Sequence, residues 1–416
     1  MSGRLSFHLS CVKPCYRPEM ERSLSSESSI RRIAPFFPLM IVPGIVLLLA
    51  PSTVESVMRQ FGFQESLGGL LQVSYFAGGV VGILLITHLM QKLSSRDIVI
   101  GSVWILVAGL LAASVSPWYP LMLVFLVVVG FANGILIAFP GVYANFVCGE
   151  QSHRAQTFLY GFFSLGVLSG PLIASVMIDN VHSWRWAFAF PALLIIPLSL
   201  PIVFSKLVDI DAAEKLTRST VRKVLAFDSR LFIGLFCALL LYIAAESAVS
   251  MWLVTYMHEE LSVGLGPAHW ALAGLWIGIT VGRWIIGWLL HELEPFYVAF
   301  VLSLTAAALL LVAPLIGTKT AAFIMYPAIG LAYSGIYPIL IGYVAKFPED
   351  ISSSVFTIFL AAGALGGAIL PYAVGLVNQF AGLVPGMASI SVLLVGVTAF
   401  LFWAKGRLMP SPETIS

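Results

Sequence analysis

The 416-residue chain sets 22 Lys and Arg against 20 Asp and Glu, a formal net charge of +2, and so offers nucleic acid no basic surface to bind. Its residues are 59% hydrophobic and 10% charged, with a mean hydropathy of +0.97, whereas soluble domains carry about 25% charged side chains. A water-soluble core is excluded. Uncharged runs such as Ile98–Ser114, Trp118–Ala138 and Ala388–Ala404 each approach the thickness of a bilayer as a helix. The alternating ten-residue segments of an outer-membrane barrel are missing, which leaves helices as the spanning structure.

In chain order, the first 32 residues are polar and Ser-rich, without the apolar stretch of a secretory signal, and read as a disordered cytoplasmic tail. Met20 is an alternative start. Cys11, Cys15, Cys148 and Cys237 make no metal-ligand pattern and receive no role. Charge clusters and Gly, Pro and Asn signals then divide the chain into spans at about 33–53, 67–89, 98–116, 119–143, 156–178 and 186–204, a polar linker over 205–230, and spans at about 231–257, 268–290, 296–315, 321–345, 353–377 and 385–404. A short tail over 405–416 follows. The expected fold is thus an all-α polytopic membrane protein, with twelve transmembrane helices in two pseudo-symmetric six-helix bundles, 33–204 and 231–404.

Placing the amino terminus in the cytoplasm puts most Lys and Arg inside: those of the tail, Lys92, Arg96, Arg154, those of the linker, Lys346, Lys405 and Arg407. Only Arg59, Arg185 and Lys319 fall outside, and Arg283 lies within a span. This bias orients both termini to the cytoplasm. A repeat appears at an offset of 200 residues: Gly78 and Gly82 match Gly278 and Gly282, Gly130 matches Gly330, and Gly166 and Pro171 match Gly366 and Pro371. Small residues let helices approach closely, and prolines mark where they bend. Two bundles facing each other across a pseudo-two-fold axis suit alternating access to a midplane site.

From about residue 33 to 404 the chain resembles the major facilitator superfamily. Trp184-Arg185-Trp186 at the start of the sixth span is similar to a signature of many members, although an aromatic interface belt explains both tryptophans equally well. The loop Gln91–Asp97 departs from the glycine- and arginine-rich loop motif of the family. Within the superfamily, YIAAESAVSMWLVTY (Tyr242–Tyr256), Gly282-Arg283, GLAYSGIYPILIG (Gly330–Gly342) and GALGGAILPYAVG (Gly363–Gly375) resemble the fucose permease-like branch of proton-coupled sugar symporters. The resemblance implies proton-coupled uptake of a sugar-like solute. Members of that branch carry membrane carboxylates in helices one and four, where this chain has Pro51 and Ile135; those roles do not transfer.

Glu246 lies roughly 22 Å into the seventh helix. An ionisable group at that depth is a functional candidate by default, here for a proton or the substrate. Tyr242, Glu246 and Ser250 fall on one face, with Trp252 just beyond. Asn133, Tyr160, Tyr333 and Tyr337 are further substrate-binding candidates, and Gln156, Tyr160 and Ser164 form a second polar stripe. Each of these also serves as ordinary interhelical glue. Trp270 and Trp276 are candidates to stack on a sugar face. Arg283 either clamps the loop after the eighth helix or snorkels to the headgroups. Glu55, Glu65 and Asp179 read as solvated charges at the outer edge, and His88, His269 and His291 as boundary residues.

Three functions stay open: proton-coupled transport of a small polar, sugar-like solute across a bacterial inner membrane, proton-driven export of a lipophilic drug or metabolite, and a non-transporting sensor. No nucleotide loop, metal quartet or nucleophile elbow points to an enzyme. No cofactor is expected; a proton gradient is the expected driving force, with sodium left open. The partners are a small-molecule substrate and the lipid bilayer, without nucleic acid, and the protein reads as a monomer.

Overall fold

The computed structural model describes residues 31–148, 152–210, 218–289 and 293–409. Cys11, Cys15, Met20 and His291 lie outside them, as do nearly all of the expected amino-terminal tail and the middle of the linker. Twelve long helical segments follow one another: α1 (Phe36–Phe61), α2 (Glu65–Met90), α3 (Ser95–Ser114), α4 (Tyr119–Cys148), α5 (Ser152–Asp179), α6 (Arg185–Phe204), α7 (Arg218–Thr255, extended by a π turn over Tyr256–Glu260), α8 (Leu265–Leu289), α9 (Pro295–Ile316), α10 (Lys319–Lys346), α11 (Glu349–Ala381) and α12 (Leu383–Leu408). Eleven segments among the described residues are each long and apolar enough to cross a membrane. Helix α8, with Arg283, is the twelfth, packed between α5 and α10. Large apolar side chains such as Phe204, Trp284 and Phe380 stand on the outside of the bundles, the surface that lipid covers.

The helix ends follow local chemistry. Gly62 (φ 69°) and Gly317 (φ 63°) close α1 and α9 in the left-handed region that glycine adopts freely. Ser94 accepts from the Asp97 N–H and Thr318 from the Ala321 N–H, capping α3 and α10. Proline breaks two helices. In α1, Pro43 and Pro51 leave the Leu39 and Leu47 carbonyls without a donor, and the helix divides into Phe36–Leu39, Ile41–Leu47 and Leu49–Phe61. In α10, Pro338 does the same to Ser334, and the helix stops at Tyr333 and resumes at Ile336.

The expected two-half architecture holds. In the first half α1 packs on α5, α2 on α4, and α3 on α4 and α6; in the second α7 packs on α11, α8 on α10, and α9 on α10 and α12. The two halves meet along α2–α11, α5–α8 and α1–α7. The 200-residue offset extends to the atoms that touch. A Cβ on Gly130 would overlap the Tyr75 carbonyl oxygen, and one on Gly330 the Leu275 carbonyl oxygen. Gly78 lies equally close to the Val127 carbonyl and Gly278 to that of Pro327. The repeated glycines thus seat α4 on α2 and α10 on α8 at backbone contact.

Two connections differ from expectation. Helix α7 begins at Arg218, inside the expected linker, and is interrupted at Asp228 (φ −158°, ψ 93°). There Asp228 Oδ1 accepts from the Leu231 N–H at 3.0 Å and Oδ2 pairs with Arg407 at 3.1 Å, so a capped kink starts the spanning part. The Trp-Arg-Trp stretch is not a belt. Trp184 is buried and donates to Gln60 Oε1 at 2.6 Å, and Trp186 alone faces outward. Arg185 donates to the Ser114 and Ser116 carbonyls at 2.6 and 3.0 Å, meeting the free carbonyls at the end of α3. Replacing Arg185 by Ala should cost about 2 kcal/mol, typical of hydrogen bonds from a charged donor. A melting temperature in detergent equal to that of the unaltered protein would refute this structural role.

Candidate functional site at the centre of the bundles

Helix α7 carries the expected polar stripe. The Tyr242 hydroxyl donates to Glu246 Oε1 at 2.9 Å and lies 3.1 Å from the Tyr333 carbonyl oxygen, the last residue before the break in α10. Tyr333 and Tyr337 pack their rings 5.7 and 6.5 Å from that of Tyr242. Glu246 is 8% exposed. The Ser250 and Tyr333 hydroxyls are buried without a hydrogen-bond partner. The structure therefore gathers Tyr242, Glu246, Tyr333 and Tyr337 at one place, from the middle of α7 and the broken part of α10.

Arg283 joins them. Its guanidinium points neither to the loop after α8 nor to the headgroups; it reaches across the α5–α8 seam to Ser164 Oγ at a long 3.4 Å. Its charge acts on Glu246, Tyr242 and Tyr337, and Tyr160 in turn acts on Tyr337. Among the described residues no carboxylate lies within ion-pair distance of it.

Other candidates are engaged elsewhere. Asn133 is wholly buried and donates to the Tyr75 hydroxyl at 2.6 Å and to the Pro43 carbonyl at 3.3 Å, tying α4 to α2 and α1. Trp252 donates to the Pro371 carbonyl at 2.8 Å and packs α7 on α11. Trp270 is exposed near the start of α8, at the end away from the termini; Trp276 is buried, with its Nε1 unpartnered. The side chain of Gln156 lies outside the described residues.

A second constellation, absent from the expected site, closes the face opposite the termini. Arg59 on α1 pairs with Glu55 at 3.0 Å and, across the halves, with Glu259 at 3.2 Å and with His258 on the π turn of α7. Gln379 Nε2 donates to Gln64 Oε1 at 2.5 Å, and Gly69 abuts Tyr372. Glu55, expected to be solvated, is only 4% exposed. His269 is fully buried, with Nδ1 2.6 Å from the Leu265 carbonyl and Nε2 2.7 Å from the Ser52 carbonyl. A neutral imidazole donates from one nitrogen only, so in the neutral ring one of the two contacts is a hydrogen bond and the tautomer decides which. Asp179, bonded by Ser175 Oγ at 3.1 Å, is the charged group facing it. One signal in the sequence pointed here: Arg59 and Glu259, opposite in charge, are 200 residues apart, and α1 and α7 meet at the pseudo-two-fold axis.

Ligand atoms of Glu55, His258 and Glu259 come within 4.8 Å of one another, the spacing of a metal site. The Arg59 guanidinium stands among them and supplies the positive charge itself, so the cluster is an ion-pair network. A surface hollow of about 400 Å³ lined by Ser56, Arg59, Gln60 and Trp184 opens on the same face, away from Glu246. Among the described residues, the hydrogen bonds joining the two halves gather on this face, apart from that of Arg283 to Ser164.

Comparison with known proteins agrees with this architecture. The "Gentisate transporter" of Corynebacterium glutamicum is 22% identical over 343 residues, covering 79% of this chain and 77% of its own. "Protein TsgA homolog" of Yersinia pestis is 23% identical over 296 residues, covering 70% and 73%. Among solved structures, the E. coli fucose:proton symporter FucP superposes with a TM-score of 0.66 at 19% identity, over 93% of this chain and 100% of that one. A bacterial homolog of the human lysosomal transporter Spinster, in an inward-facing and occupied conformation, gives a TM-score of 0.74 at 15% identity over 91% and 98%. The sequence profile of the Major Facilitator Superfamily matches residues 33–371. The chain belongs to that superfamily, as a multi-pass membrane transporter for a small molecule and not an enzyme.

Proposed function

We propose that the protein moves a small polar solute across the membrane by alternating access, driven by protons, with Glu246 as the group that takes up and releases the proton. The observation that carries this reading is the Tyr242–Glu246 pair at the centre of the halves, with unpartnered hydroxyls beside it and the outer face closed over it. A buried carboxylate facing another helix is the usual proton site of a membrane carrier. The polar centre also favours a hydrophilic solute over a lipophilic one. FucP, which shares the fold, is a fucose:proton symporter, and the sugar-like solute expected from the sequence has its support there. The gentisate named for one relative is a carboxylate instead. By the positive-inside bias the termini lie in the cytoplasm, so the closed face is extracytoplasmic, and the protein works as a monomer in a bacterial inner membrane.

The test uses purified protein in liposomes loaded with a pH-sensitive dye and exposed to sugars and organic acids under an imposed pH gradient. The unaltered protein should move protons with its solute. Glu246→Gln should lose accumulation driven by the gradient while still exchanging labelled for unlabelled solute. Gradient-driven accumulation at the original rate in Glu246→Gln would remove Glu246 from the mechanism.

A further inference from the structure

We infer that the solute is a small hydroxylated monocarboxylate held by Arg283, and that Glu246 and this solute compete for the same guanidinium. The inference rests on the proton-coupled reading above and adds to it the chemistry of the cargo.

A guanidinium offers five N–H donors and cannot lose its charge in a protein. Arg283 projects between α5 and α8, where its one direct partner among the described residues is the Ser164 hydroxyl at 3.4 Å, longer than a good hydrogen bond. Arg283 is half-buried, so part of the cost of a charge with unmet donors remains, and a carboxylate, with two oxygens in the plane of the fork, meets that need better than any neutral group. Glu246 on α7 is near enough to feel the Arg283 charge and is bound instead by Tyr242. The charged and titratable groups facing this centre are Arg283 from α8, Tyr160 from α5, Tyr242 and Glu246 from α7, and Tyr333 and Tyr337 from α10.

The charge balance selects the solute. With Glu246 ionised, the centre is neutral and an incoming anion meets the carboxylate as a rival. With Glu246 protonated, the centre carries one net positive charge and accepts one negative charge. A neutral sugar leaves that charge unanswered. A phosphate dianion exceeds it, and the other described Lys and Arg stand away from the centre near the helix ends. The Tyr333 and Ser250 hydroxyls, buried and unpartnered, supply hydrogen bonds for hydroxyl groups on the cargo. One proton then travels with one monocarboxylate, and the cycle carries no net charge.

The experiment places the purified full chain in liposomes with an internal pH dye and offers gluconate, glucuronate, 4-hydroxybenzoate, glucose, fucose and glucose 6-phosphate in turn, with protein-free liposomes as the control for passive entry. The expected result is proton entry with at least one of the monocarboxylates and none with glucose, fucose or glucose 6-phosphate. Clamping the membrane potential with valinomycin and potassium should leave the rate unchanged. Arg283→Gln should weaken the carboxylate response roughly tenfold or more, the effect of losing a charge-assisted pair, with Arg283→Lys intermediate. Proton entry with a neutral sugar, undiminished in Arg283→Gln, would overturn the inference and leave the proton-coupled reading standing. Carboxylate entry that needs Arg283 but ignores both the pH gradient and Glu246→Gln would uphold the anion site and sink the proton coupling. Thermal stabilisation of the unaltered protein in detergent by the same compounds is independent of any variant; stabilisation by the sugars and by none of the monocarboxylates would also overturn the inference.

Discussion

Replacing Gly130 by Leu is expected to remove the folded protein, and replacing Gly330 by Leu to do the same. At both positions even a Cβ would overlap a backbone oxygen, that of Tyr75 in one half and of Leu275 in the other. Backbone cannot move aside as the end of a side chain can, so α4 must lift from α2, or α10 from α8, along the whole contact. Overpacking of this kind costs about 3 kcal/mol or more, a large part of the stability of a typical domain. Gly161 has nothing within 4 Å of its Cβ position, so Gly161→Ala is the control. Fluorescence-detected size-exclusion chromatography should show aggregate or no peak for the two leucine variants and a single sharp peak for the control. A sharp peak with unaltered melting temperature for Gly130→Leu would refute backbone contact at this seam.

A disulfide across the face opposite the termini is expected to stop transport completely and reversibly. A Cβ built on Gly69 of α2 lies 3.5 Å from the Cβ of Tyr372 on α11 but only 2.9 Å from its Cα, so α2 and α11 must part slightly to seat the new residue, which keeps the pair within the range of about 3.5–4.5 Å that disulfides span. In a background freed of the native cysteines, Gly69→Cys with Tyr372→Cys should therefore oxidise readily. Because α2 and α11 belong to different halves, the bond holds the face shut, and a carrier that must open there is arrested. Transport should fall to background on oxidation and return with dithiothreitol, while each single cysteine variant ignores the oxidant. Full transport by the oxidised double variant would mean that the two helices need not part. The same pair tests the network beside it, since Arg59, Glu259 and His269 close the same face.

Much of the fold was legible in the residues because spanning helices must satisfy their own backbone, which ties hydropathy to topology. The 200-residue spacing of Gly78, Gly130 and Gly166 went further and located the helix contacts themselves. In the site, Tyr242 and Glu246 were legible because four residues is the helical repeat. The remainder depended on which way a helix is turned, and depth along the sequence does not give that. Asn133 and Trp252 sit at the right level but face α2 and α11. Arg283, near the end of its helix, carries a side chain long enough to point to water or to the centre, and only the packing of α8 on α5 decides. Glu55 looks solvated and His269 like a boundary residue in sequence because the surface that buries them comes from the other half of the chain, some 200 residues away.

The interruption of α10 between Tyr333 and Ile336 has a mechanical consequence. An unbroken helix resists bending along its whole row of hydrogen bonds, so force applied at one end reaches the other. With that row cut by Pro338, α10 is two rods sharing a joint, and its compliance is concentrated at the level of Glu246. The Tyr242 hydroxyl, 3.1 Å from the Tyr333 carbonyl, is a strut from α7 onto that joint. The hydroxyl has one proton for two acceptors, so the bond that braces the joint competes with the bond to Glu246.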